Sequence, residues 1–224
     1  MLELSNITAG YERGRPVVRD MSLAVARGEA VGLLGPSGCG KSTLARVAAL
    51  LHRPDAGTVV LDGTTVTDYR HRVPRALRTT VGVVLQAPRL SATDPRLRLR
   101  DLVAEPLRAT GRRIEVRERV DELAHAVGLG GDLLTRGICD VSDGDLQRAC
   151  LARALVLRPR LLICDDMTAA LDAATAAALI AAVEVYRRGT QASLLAVGPD
   201  PAVLARWCDR TVSWSSPPSD AHPL

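Results

Sequence analysis

Short apolar runs punctuate the chain, and between several of them the apolar positions fall three and four apart. The runs lie at residues 2–8, 30–34, 58–61, 81–85, 161–165, 193–197 and 211–214, and each reads as a strand. Those at 31–34, 161–164 and 194–197 are apolar without interruption, the pattern of strands covered on both faces in a parallel sheet. Between residue 88 and about residue 157 the period turns helical, with Val116, Val120, Leu123, Ala124 and Val127 on one helix face. The chain therefore reads as an α/β core with an inserted helical subdomain. Residues 215–224 are rich in Pro and Ser and are predicted to form a disordered tail.

The strand predicted at 30–34 runs directly into Gly35-Pro36-Ser37-Gly38-Cys39-Gly40-Lys41-Ser42-Thr43, and Leu44-Ala45-Arg46-Val47-Ala48-Ala49 follows with helical character. A Gly-rich turn between a buried strand and a helix lets backbone N–H groups crowd around a polyphosphate. In that arrangement Lys41 reaches the terminal phosphates and Ser42 can ligate Mg²⁺. The expectation is a nucleoside triphosphate site. A second signal of the same kind is Leu161-Leu162-Ile163-Cys164-Asp165-Asp166, an apolar strand ending in two acids, from which Asp165 can hold the Mg²⁺ shell.

Composition narrows the partners. With 224 residues and 47% hydrophobic content the chain can bury one substantial core. The net charge is +4, yet aromatic residues are 2% and Phe is absent, so platforms for stacking nucleic-acid bases are poorly supplied and no nucleic acid is expected. The arginines at 96, 98, 100, 112 and 113 read as a solvated helical face. Five cysteines, with no C-x-x-C pair, argue against a metal site or a disulfide framework. Cys39 reads as a small residue that fits the turn. The N-terminus lacks the pattern of a secretory signal, and the longest uncharged apolar run, about 173–183, is short of the roughly 20 residues that cross a bilayer.

Over about residues 1–214 the chain resembles the ATP-binding cassette (ABC) family. The motifs that carry the resemblance follow in order: the loop Gly35 to Thr43, Gln86 after a strand, Val141-Ser142-Asp143-Gly144-Asp145-Leu146-Gln147-Arg148, the acidic strand end, and Ala170-Leu171-Asp172. Ala152-Arg153-Ala154-Leu155 with Arg158-Pro159 is similar to the family's helix after its signature.

The resemblance implies a P-loop NTPase core, a mostly parallel sheet flanked by helices, with an antiparallel β region. It implies one nucleotide-binding domain over 1–214, with the core at 1–86 and 158–214 and the helical subdomain at 87–157. ATP and Mg²⁺ are the implied ligands. Gly35, Pro36, Ser37, Gly38, Cys39, Gly40, Lys41, Ser42 and Thr43 would hold the nucleotide. Tyr11 would stack on adenine, although packing alone also places a lone Tyr in a loop. Ser42, Gln86 and Asp165 would hold the metal, Lys41, Gln86 and Asp166 would serve the chemistry, and Ser142, Asp143, Gly144 and Asp145 would meet the ATP of a facing cassette. The implied partners are a second cassette, expected to be a different chain, and a transmembrane permease that would hold the protein on the cytoplasmic face of the membrane. Ala104-Glu105-Pro106-Leu107 and the segment 86–96 are similar to cassettes of peptide and nickel importers.

Three positions depart from that pattern. The acid after the strand-end Asp, usually Glu, is Asp166, and one methylene less moves the carboxylate back by about 1.5 Å. Pro199 stands where a histidine is usual, and proline has neither a side-chain donor nor a backbone N–H. The signature reads Val141-Ser142-Asp143-Gly144-Asp145 in place of L-S-G-G-Q, and Ser142 with Asp145 resembles a capping box that would satisfy the helix donors internally. Hydrolysis by the chain alone is therefore expected to be slow. The competing readings are an importer's energy-coupling subunit and a non-transport ABC protein that acts as an ATP-gated clamp.

Overall fold

The computed structural model describes residues 1–12, 14–91, 94, 96–112, 116–169 and 171–214. The tail at 215–224, together with Pro95, Arg113 and Ala170 of the motifs above, lies outside the described residues. The elements run β1 (Leu2–Glu12), β2 (Arg15–Val25), β3 (Ala30–Leu34), α1 (Lys41–Ala48), β4 (Ala56–Leu61), β5 (Thr64–Thr65), α2 (Arg75–Arg78), β6 (Val81–Val84), α3 (Pro88–Ser91), α4 (Leu99–Ala109), α5 (Val116–Ala126), α6 (Asp143–Leu155), β7 (Leu161–Asp165), α7 (Ala173–Thr190), β8 (Ser193–Gly198), α8 (Pro201–Leu204) and β9 (Arg210–Ser213).

A five-stranded sheet, all parallel, has the order β6-β7-β8-β3-β9, and a four-stranded antiparallel sheet has the order β2-β1-β4-β5. Side chains alternate across the parallel sheet because successive residues of a strand point to opposite faces. Leu162, Cys164, Leu194 and Ala196 enter one core with Leu102 and Leu107 of α4, Val120 of α5, Leu146 and Leu151 of α6 and Leu179 and Val183 of α7. Leu161, Ile163, Leu195 and Val197 enter a second core with Leu44 and Val47 of α1 and with Leu2, Leu4, Val59 and Leu61 of the antiparallel sheet. Each fully buried leucine contributes about 1.5–3 kcal/mol, so both faces of the central strands are locked.

Two strands were not expected from the pattern. β2 has Pro16, Arg15, Arg19 and Asp20, buries only Val18, Leu23 and Val25, and pairs with β1 alone. It is an edge strand, where exposed polar residues and a proline are tolerated. β5 is two exposed residues added to β4. β1 runs four residues beyond the predicted stretch, to Glu12, through register shifts after Leu4, Ile7, Ala9 and Gly10.

The parallel register fixes what meets at the carboxyl ends of the strands. Leu34 of β3 lies opposite Gly198 of β8, and Asp165 of β7 lies opposite Val197. The glycine loop, the paired acids and the segment around Pro199 thus leave adjacent strands side by side, where ligands bind in open α/β sheets.

Candidate functional site

Two glycines of the loop, Gly35 and Gly40, leave no room for a side chain. A Cβ on Gly35 would stand 3.0 Å from both the Cys39 sulfur and the Trp214 carbonyl oxygen. Gly40 has φ 107°, and a Cβ there would stand 3.0 Å from the Val17 carbonyl oxygen. α1 begins at Lys41 with no side-chain cap and no acid in its first turn, so its end keeps the positive character that favours an anion. Lys41 is 8% exposed, and its ammonium donates to the carbonyl oxygens of Gly35 at 2.8 Å and Pro36 at 2.7 Å. The cation is held inside the curl of the loop.

The two acids sit beside it in different surroundings. Asp165 is 3% exposed and accepts the Ser42 hydroxyl at 2.9 Å. Burial pushes its carboxyl above the usual range, opposed by the Ser42 hydrogen bond and by the charges of Arg46 and Lys41. A buried carboxylate beside a hydroxyl, next to an uncapped helix start, is a donor set that suits a hard divalent cation carried by a phosphate. Asp166 has φ 46°, donates its N–H to the Val197 carbonyl at 2.8 Å, and accepts the Gln86 amide at 3.2 Å on its carboxylate. Burial raises its carboxyl also, and the charge of Asp165 adds to the effect.

Pro199 lines a cleft of about 260 Å³ together with Asp166, Gly198 and Trp207. The neighbouring Asp200 accepts the N–H groups of Ala202 at 2.8 Å and Val203 at 3.2 Å and so caps α8. Neither residue presents a donor side chain to the cleft.

Tyr11 is 58% exposed and is organised by Thr43 of the loop together with Arg46 and His52, which sequence reasoning did not single out. Its hydroxyl accepts Arg46 at 2.5 Å and Thr43 at 3.4 Å, and its ring lies 5.0 Å from that of His52. The Arg46 guanidinium carbon is 5.9 Å from the ring centroid, within cation–π range. The ring is thereby fixed close to the start of α1.

The second helix start is arranged differently. Ser142 caps α6 by accepting the Asp145 N–H at 3.1 Å, and its own hydroxyl donates to the Asp145 carboxylate at 2.7 Å. The capping box expected from the sequence is thus modified. The serine oxygen serves the helix donor, and the short Asp145 carboxylate takes the hydroxyl. The Asp143 carboxylate accepts Arg89 of α3 at 2.7 Å. A Cβ on Gly144 would stand 3.3 Å from Thr175, whose N–H and hydroxyl are both held by Asp172 at the start of α7.

Gln147, 1% exposed, joins the two regions. Its amide donates to the carbonyl oxygens of Leu85 at 3.2 Å and Met167 at 3.0 Å, the residues flanking Gln86 and Asp166. The signal available in sequence was a single amide on an otherwise buried helix face. Arg89 had no such signal, being separated from Asp143 by 54 positions. In all, the structure gathers Lys41, Ser42, Gln86, Asp165 and Asp166 around one turn and places Ser142 to Asp145 on a separate helix start.

Known proteins are similar in sequence and in fold. A family model described as ABC transporter matches residues 18–169. The nickel import ATP-binding protein NikE of Escherichia coli O157:H7 is 32% identical over 222 residues, covering 95% of this chain and 82% of NikE. The lipoprotein-releasing system ATP-binding protein LolD 2 of Caulobacter vibrioides is 41% identical over 201 residues, covering 88% of this chain and 86% of LolD 2. A solved structure described as a dimeric post-hydrolysis state of the ATP-binding cassette MJ0796, bound to ADP and Pi, matches with a TM-score of 0.86 at 27% identity, covering 96% of this chain and 95% of that one. With a family model over residues 18–169 and relatives 32% and 41% identical over most of its length, the chain belongs to the ABC transporter family.

Proposed function

We propose that this protein is the ATP-binding subunit of an importer, coupling ATP binding and slow or partner-assisted hydrolysis to passage of a peptide-, nickel- or metallophore-type substrate through a separate permease. The observation that carries the ATP part is the uncapped start of α1, with Lys41 inside the loop and the buried Asp165–Ser42 pair beside it. The importer part rests on similarity to the nickel import cassette.

In this reading the N–H groups of the loop and of α1 surround the phosphates, and Lys41 exchanges two carbonyl partners for phosphate oxygens. Tyr11, braced by Arg46 and His52, offers its ring to the base. Ser42, Asp165 and Gln86 would hold Mg²⁺, which supplies neutralisation of phosphate charge when bound. Asp166 would orient or deprotonate water. Its carboxylate is short, is engaged by Gln86, and has Pro199 beside it where a donor is usual. Binding is therefore strong and turnover slow.

In this reading a groove of about 560 Å³ along β6, α4 and α6, lined by Leu85, Pro106, Ala154, Arg75, Arg78 and Arg153, would receive the permease. The test is MgATP binding by the purified chain together with recovery of the chain from native membranes. Binding plus a co-purified permease supports the importer. Failure to bind MgATP refutes the nucleotide reading, and binding with no membrane partner favours the ATP-gated clamp.

A further inference from the structure

Five arginines gather beside the groove along β6, α4 and α6, and no acid stands among them. Residues 69–79, the segment that leads into β6, hold Arg70, Arg72, Arg75 and Arg78 together with His71 and carry no Asp or Glu. A short 3-10 turn (Arg70–Arg72) and α2 make up most of that segment. The fifth cation, Arg112, follows the end of α4. Arg75 donates to the Thr110 carbonyl oxygen, which brings the two stretches together. Arg108 of α4 is paired with Asp101 at 2.6 Å, whereas the five are exposed and, among the described residues, have no ion pair.

The segment is fixed rather than loose. Val73 is 4% exposed, and Tyr69 and Leu77 pack on the second core. The Arg70 N–H donates to the Leu50 carbonyl at 2.8 Å, and the Arg78 guanidinium donates to the carbonyl oxygens of His71 at 2.7 Å and Val73 at 3.0 Å. Neutral carbonyls leave a guanidinium's charge in place. The five cations exceed the net charge of +4 of the whole chain, so the rest of the chain is close to neutral and the positive field is concentrated here. A merely solvated face mixes charges of both signs, which relieves their repulsion; this one does not.

We propose that residues 70–78 and the end of α4 form a docking surface for a bilayer rich in anionic phospholipid. Guanidinium forks match phosphate oxygens, and headgroup phosphates spread over a plane suit forks that stand on two separate segments. Clusters of four to eight cations are the usual electrostatic basis of such contact. Leu51, 46% exposed, lines the same groove and adds apolar surface at its edge. A nucleic acid would find no exposed aromatic ring here on which to stack its bases, since Tyr69 is partly buried. The contact involves no bound nucleotide and stands apart from the nucleotide reading; it would add a direct lipid contact to the one made through a permease.

The test is co-sedimentation of the purified full chain with vesicles of phosphatidylcholine containing about 30% phosphatidylglycerol, and with vesicles of phosphatidylcholine alone. The anionic vesicles should bind at least about tenfold more tightly, and raising salt from about 0.05 M to about 0.3 M should cost at least about tenfold. The double variant Arg70→Gln with Arg72→Gln should lose about tenfold or more, and Arg112→Gln about threefold. Arg15→Gln with Arg19→Gln removes the same charge from exposed positions of the edge strand β2 and should stay within about twofold of the unmodified chain. Melting temperature and MgATP binding should be alike in all of them. Equal binding to both kinds of vesicle overturns the proposal, as does equal weakening by the β2 pair, which would mean net charge alone. Undiminished binding by the Arg70 and Arg72 variant overturns it too, and so does tighter binding to a single-stranded RNA than to anionic vesicles. Vesicle binding by a chain that fails to bind MgATP supports this surface and refutes the nucleotide reading alone.

Discussion

α1 and α6 both begin with a glycine nearby and both open toward ground where a phosphate is expected, yet they are built in opposite senses. α1 starts after Gly40 with no side-chain cap and no acid in its first turn, and a lysine is folded under the preceding loop. α6 starts after Ser142, which satisfies the Asp145 N–H, and carries Asp143 and Asp145 in its first turn. The first leaves its donors for an incoming anion. The second satisfies a donor from within, and one of its two acids is paired with Arg89. The same local device, a helix N-terminus, is thus left open at the start of α1 and occupied by the chain's own groups at the start of α6.

The comparison breaks most visibly at the acids. If turnover is limited by Asp166 and Pro199 while the loop is intact, Asp166→Glu combined with Pro199→His should raise steady-state ATPase activity about 10²-fold, with MgATP affinity nearly unchanged. Next in size is Lys41→Ala, which removes a nearly buried cation from the loop. MgATP affinity, read by calorimetry, should fall at least about 30-fold, and the fold should persist in far-UV circular dichroism.

Ser142→Ala sharpens the other side of the contrast. Losing the cap should cost about 1 kcal/mol, or roughly 2–4 °C in melting temperature, and leave MgATP binding at the loop untouched. The smallest effect concerns Asp165 in Mg²⁺-free protein. Its folded-state pKa is raised by burial above the usual 3.8, so the unfolded chain loses the proton first as pH rises. Stability conferred on the protonated form is therefore lost as pH rises from about 3.8 through the folded value, then stays level. Asp165→Asn has no such loss. Its melting temperature should exceed that of the unmodified chain near neutral pH, and the gap should close as pH falls below the ordinary carboxylate range.

Much of this was legible in the chain because it is local. The strands at 30–34 and 161–165 are read to the residue, since unbroken apolar runs ending in Gly-rich or acidic turns admit few alternatives. β2 was missed because an edge strand with a proline and three charged residues lacks that pattern. The Ser142–Asp145 contact was partly legible at a spacing of three, whereas the partner of each carboxylate was not. Arg46 and His52 around Tyr11, Arg89 on Asp143, and Gln147 beneath Gln86 are tertiary contacts across 20 to 62 positions, set by sheet order and helix packing rather than by any local period.

The central claim is that nucleotide binding and turnover are separated in this chain. Its most direct test is MgATP binding and ATPase turnover measured side by side on the purified, unmodified protein. The account expects saturable MgATP binding with turnover below about 0.1 s⁻¹, under the usual range for enzymes. Turnover of about 1 s⁻¹ or faster by the chain alone would contradict it.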